Sequence, residues 1–126
     1  MTSVDTGSRL MREVRVTQEG AGIRLASRVA IAESWWERCR GLLARPRITT
    51  GEGLLLLECA SVHTVGMTYP IDVAFLDAEG TIVRSISRLR PWRIGLGGNR
   101  AAHALELPAG RLEETGTVPG DRLDWS

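Results

Sequence analysis

Residues 70–89 constrain this chain more tightly than any other stretch. Ile71, Val73 and Phe75 alternate with Asp72, Ala74 and Leu76, which is the two-residue period of a strand. Asp77-Ala78-Glu79-Gly80 then turns the chain, and Gly80 is free to take the positive φ that a hairpin needs. Thr81 to Leu89 returns as the partner strand, with Ile82, Arg84, Ile86 and Arg88 on one face.

Further strands are predicted on both sides of this hairpin. Val14 and Val16 alternate with Arg15 and Thr17, and Ile23, Leu25 and Val29 to Ala32 form a second candidate. Leu54 to Glu58 follows Gly51-Glu52-Gly53, and Ala104 to Leu107 is ended by Pro108-Ala109-Gly110. A turn at Gly116–Asp121 precedes a last short strand at Arg122–Trp125. Pro91 to Asn99 reads as a glycine-rich loop carrying Trp92. One helix is expected over 34–44. Ser34-Trp35-Trp36-Glu37 has the form of a capping box, Trp35, Arg38 and Leu42 keep helical spacing, and Pro46 ends the run.

The expected fold is therefore mainly β (α+β): one compact domain, a curled antiparallel sheet or partly closed β-barrel with one flanking helix. Residues 1–20 read as a partly ordered polar arm and 21–126 as the domain. A chain of 126 residues buries roughly two-thirds of its unfolded surface and needs no staples. Leu42, Leu55, Leu57, Val73, Phe75, Ile82, Ile86, Leu105 and Leu107 are the expected core.

Net charge is +1, so no global field draws nucleic acid or anionic lipid to the molecule. All sixteen basic residues are arginine. The N-terminus lacks the apolar stretch of a secretory signal, and no apolar run approaches the roughly 20 residues of a membrane span. These features predict a cytoplasmic protein, in which Cys39 and Cys59 are free thiols.

Four blocks in order carry a resemblance. They are Glu37-Arg38-Cys39-Arg40-Gly41-Leu42-Leu43-Ala44-Arg45, Pro70 to Asp77 with Gly80, Leu105-Glu106-Leu107-Pro108-Ala109-Gly110, and Gly120-Asp121. Together they resemble the bacterial and archaeal family called domain of unknown function 192, over roughly residues 22 to 124. The resemblance implies a compact, mostly β domain with one helix packed on it, and it implies no function. One common form of that family carries Phe-Trp-Met-Lys-Asn-Thr before its Pro-x-Asp. Here the segment is Ser61 to Tyr69, with His63 in place of the Trp and Met67 in place of the Thr.

That segment is where candidate chemistry collects. Cys59, His63 and Met67, spaced by four, offer the thiolate, imidazole and thioether that suit copper, with His103 as a further ligand, or a zinc site. Cys59 with His63 or His103, oriented by Asp72, would make a thiol–imidazole catalyst of a small hydrolase. Glu58, Asp72 and Glu106 are carboxylates available for acid–base work, each otherwise an edge or turn residue. The third reading is a non-enzymatic binding or accessory domain without metal or cofactor. Its polar site would gather His63, Thr64, Met67 and Asp72, with Arg45 and Trp92 nearby, for a small molecule or protein. Asp72 points away from Ile71, Val73 and Phe75, so its partner is sought in Arg40, Arg45 or Thr64. The arginines at 84, 88 and 90 lack aromatic interleaving, which argues against nucleic acid.

Overall fold

The computed structural model describes residues 12–34 and 47–126. The described chain forms nine strands: β1 (Glu13–Gln18), β2 (Arg24–Ala32), β3 (Glu52–Leu56), β4 (Ser61–His63), β5 (Ile71–Leu76), β6 (Ile82–Leu89), β7 (Ile94–Leu96), β8 (His103–Pro108) and β9 (Leu123–Trp125). One short helix, α1 (Arg111–Thr115), lies between β8 and β9. Seven strands make one sheet in the order β6-β5-β8-β3-β2-β1-β9, and β4 and β7 pair separately as a two-stranded ribbon.

The sheet is antiparallel except where β2 runs parallel to β3. Parallel neighbours require a crossover, here residues 33–51. The helix expected at 34–44, with Leu42, Cys39 and Arg40, falls largely in that crossover and outside the described residues. The sheet curls until its two edges meet. The Ile82 amide donates to the Asp121 carbonyl at 2.8 Å, Leu123 donates to Gly80 at 2.9 Å, and Gly120 donates to Ile82 at 2.8 Å. The hairpin forms as its sequence dictates: Asp77 Oδ1 accepts the Glu79 and Thr81 amides, and Gly80 has φ 91°. The sheet begins at Glu13, within the stretch read as an arm.

Both faces of the sheet are covered, which is why all six residues of β5 are buried. The expected core residues divide between the faces. Leu55, Ile82, Leu105 and Leu107 belong to a cluster inside the curl with Leu25, Ile31, Leu76, Leu112 and Leu123. Val73 and Phe75 belong to a second cluster outside it, with Leu54, Leu56, Val62, Met67, Tyr69 and Ile71. Leu57 and Ile86 are only partly buried and pack against these clusters from the margin.

Candidate functional site

The outer cluster is roofed in part by the β4–β7 ribbon, in a stretch that reads from sequence as a loop. Ser61 pairs with Leu96, Val62 with Gly95, and His63 with Ile94. Val62 and Gly95 face the sheet, and a Cβ on Gly95 would sit 2.8 Å from the Ile86 Cδ1. A Cβ on Gly97 would sit 2.6 Å from the Phe75 ring. The ribbon backbone therefore rests directly on the sheet: at Gly97 the Phe75 ring leaves room for glycine alone, and at Gly95 a Cβ would have to push the Ile86 methyl aside. Strand alternation then sends the large apolar residues the other way. Ile94 is 68% exposed, Trp92 64%, Leu96 60% and the adjoining Val65 40%. His63 stands beside Ile94 on the same outward face, its Nδ1 accepting the Val65 amide at 3.3 Å.

Trp92 is held there deliberately by its surroundings. Its φ is 64°, a left-handed conformation that costs a bulky residue about 1–3 kcal/mol. Thr64, fully buried, supports the turn. Its Oγ1 donates to the Arg90 carbonyl at 2.6 Å and accepts the Arg93 amide at 2.9 Å. Its carbonyl accepts the Trp92 amide at 2.9 Å. Thr64 is thus a strut beneath the exposed tryptophan, linked to it across 28 positions of sequence.

The polar site expected from sequence is not assembled. Met67 is buried in the outer cluster. Asp72 points into the inner face, where Oδ1 accepts the Arg88 amide and Oδ2 the Leu112 amide, both at 2.9 Å. These partners are backbone groups and not Thr64, because α1 follows its N-cap Gly110 with no side-chain cap of its own and Asp72 supplies the acceptor; Arg40 lies outside the described residues. Arg45 lies outside the described residues. Of the five expected site residues that are described, only His63 and Trp92 lie on an exposed surface.

Cys59, His63 and Asp72 are not brought together among the described residues. The Cys59 thiol is free and donates to the Ser61 carbonyl at 2.9 Å, while His63 faces outward and Asp72 is committed on the opposite side of the sheet. His103 Nδ1 accepts the Glu58 amide at 3.0 Å, and its ring meets Trp125 edge-on. Burial holds His103 below its ordinary value, against the opposing pull of Glu58 and Asp77. Among the described residues no three His, Cys, Asp or Glu side chains converge as a metal site.

Glu106 was readable from sequence only as an edge or turn carboxylate, and the structure corrects this. It lies mid-strand in β8, 3% exposed, with Oε1 lacking a hydrogen-bond partner. Burial pushes its carboxyl up to about 8. Tyr69 lies in the same outer layer, under the Arg47 guanidinium at 5.1 Å from its ring centroid, and its hydroxyl makes no hydrogen bond of good geometry. Burial raises the Tyr69 phenol; the Ile48 backbone opposes this, Glu106 adds to it and Arg47 opposes it. The sequence signal was a charged residue between two leucines of a strand covered on both faces. An open cleft of about 360 Å³ by α1 is less promising, since its charges are matched: Arg88 with Glu113 at 3.0 Å and Arg111 with Glu114.

Comparison with known proteins agrees with the fold and adds no activity. The family model DUF192, described as an uncharacterized ACR, matches residues 14–125. A UPF0127 protein of Thermococcus sibiricus is 33% identical over 102 residues, 78% of this chain and 66% of that protein. A UPF0127 protein of Pyrococcus furiosus is 33% identical over 111 residues, 86% of this chain and 93% of its own length. A solved structure from Novosphingobium aromaticivorans, of unknown function, superposes with a TM-score of 0.82 at 21% identity, covering 98% of this chain and 91% of the other.

Proposed function

This chain belongs to the DUF192 family, and we propose that it is a non-enzymatic docking module whose contact surface is the outward face of the β4–β7 ribbon. One observation carries the reading. Gly95 in β7 and Gly97 just after it lie against the sheet, and Ile94 and Leu96, with Trp92 in the turn before β7, are displayed together and not buried. Scattered single apolar residues on a surface need no explanation, but a contiguous set on a buttressed element marks an interaction site. Tryptophan is also the residue type that most often anchors an interface. The strained turn at Trp92 and its buried Thr64 strut support the same view, because a costly conformation that the surroundings enforce points to use.

The test places a photo-activatable amino acid at position 96, and as a control at exposed position 124 of β9, and irradiates cells that natively make the protein. Adducts at 96 and none at 124 are expected. Equal adducts at both positions, or none at either, would remove the ribbon as the contact surface.

A further inference from the structure

We propose that the ribbon face docks on the surface of an anionic lipid bilayer, with Trp92, Ile94, Leu96 and Val65 entering the headgroup–acyl boundary and Arg84, Arg90, Arg93 and Arg100 resting on lipid phosphates. The inference deepens the docking reading above and rests on it. Charge is the first argument. Residues 81–102 contain arginines at 84, 88, 90, 93 and 100 and no aspartate or glutamate, while the whole chain is only +1. This segment is therefore markedly more basic than the chain as a whole. Arg88 is turned to Glu113. The other four are exposed, and among the described residues none has an acidic partner.

Position is the second argument. Arg90 and Arg93 flank Trp92, Arg100 follows β7, and Arg84 stands opposite Phe75 on β6, on the sheet face that the ribbon covers. An apolar centre thus has guanidinium groups beside it in a segment that carries no carboxylate of its own. A second copy of the chain would bring these arginines against each other, which disfavours a symmetric dimer. A stable protein interface takes roughly 20–30 residues a side, far more than this small display. An amphipathic surface in the plane of a membrane needs only apolar side chains reaching about 5–10 Å inward and basic groups at phosphate depth. Nucleic acid phosphates would use the arginines and leave Ile94 and Leu96 without a role.

The experiment is flotation of the purified full chain with phosphatidylcholine vesicles and with vesicles also containing phosphatidylglycerol. Two variants accompany it: Trp92→Ser with Ile94→Ser and Leu96→Ser, and Arg90→Gln with Arg93→Gln. All these side chains are exposed, so unfolding curves should stay near wild type and confirm that both variants fold. The wild type should float with anionic vesicles and much less with neutral ones, and raising salt should weaken it. Each variant should bind anionic vesicles about tenfold less well or worse. No flotation of the wild type, or equal flotation of either variant, overturns the proposal. So does duplex DNA binding lost only in the arginine variant, or a dimer in sedimentation velocity that the serine variant abolishes. If flotation fails while position 96 still crosslinks to protein, the docking face stands and the bilayer is the wrong partner. If both fail, the face has no partner.

Discussion

Asp72 and Glu106 lie on neighbouring strands and opposite faces of one sheet, and burial acts on them differently. Asp72 has two amide donors at 2.9 Å, one to each side-chain oxygen. Asp72→Ala should cost about 2–5 kcal/mol, since two buried donors lose a charged acceptor. Asp72→Asn, which retains one carbonyl oxygen, should cost less. Urea unfolding of the pair checks this, and equal losses would show that Asp72 does not hold both amides. Glu106 has no such help, and its carboxyl is neutral in the fold until about pH 8. Its protonated form is favoured by folding, so that stability is complete below the ordinary value of 4.5 and is lost as pH climbs through 8. At 1.36 kcal/mol per unit the loss approaches about 5 kcal/mol. Glu106→Gln should match the wild type near pH 5 and exceed it clearly at pH 9 in thermal unfolding. Parallel pH profiles would mean that the side chain finds water or a partner. His103 works in the opposite direction. Its depressed value means that folding favours the neutral ring, so stability falls as pH drops below the ordinary 6.5.

At the scale of elements, the hairpin and the strands at 13–18, 24–32, 52–56, 103–108 and 123–125 were legible because short apolar runs, alternating as at Val14 and Val16 or continuous as at Leu54 to Leu57, lie between recognisable turns. β7 was not. Gly95 within it and Gly97 just after it face the sheet, so the pattern Trp92-x-Ile94-x-Leu96 is the reverse of the usual apolar-inward rule and reads as a loop. α1 was invisible for another reason: its cap, Asp72, is 40 positions distant from Leu112. The expected site suffered similarly, since Thr64 and Asp72 look like ligand groups until their backbone partners 16 to 40 positions away are known. Close seating of the ribbon gives a sharp test. Gly97→Ala would force a methyl group into the Phe75 ring at 2.6 Å, and such overpacking costs about 1–3 kcal/mol. Hydrogen exchange should then quicken at the β4 and β7 amides while β5 and β8 stay protected. Unchanged exchange in the ribbon would show that it does not depend on this contact.

For the whole molecule, the open question in the sequence was whether the sheet is merely curled or closes on itself. Strand order puts β6 and β9 at opposite edges, and edge strands ordinarily expose unpaired amides. Here the seam between them is joined by the Thr81–Arg122 bridge and the bonds of Ile82, Leu123 and Gly120. The inner cluster draws on both edges, through Ile82 and Leu123, so closing the seam is what seals that core. An amide at a sealed seam opens only with larger unfolding, whereas one at a true edge exchanges freely. The Ile82 and Gly120 amides should therefore exchange orders of magnitude more slowly than unstructured amides. Leu123→Pro deletes one seam donor and stiffens the strand. It should expose those two amides to rapid exchange while the β5–β8 ladder, whose own bonds do not cross the seam, remains better protected. Rapid exchange of Ile82 and Gly120 already in the wild type would make the sheet open, with its inner core sealed by side chains alone.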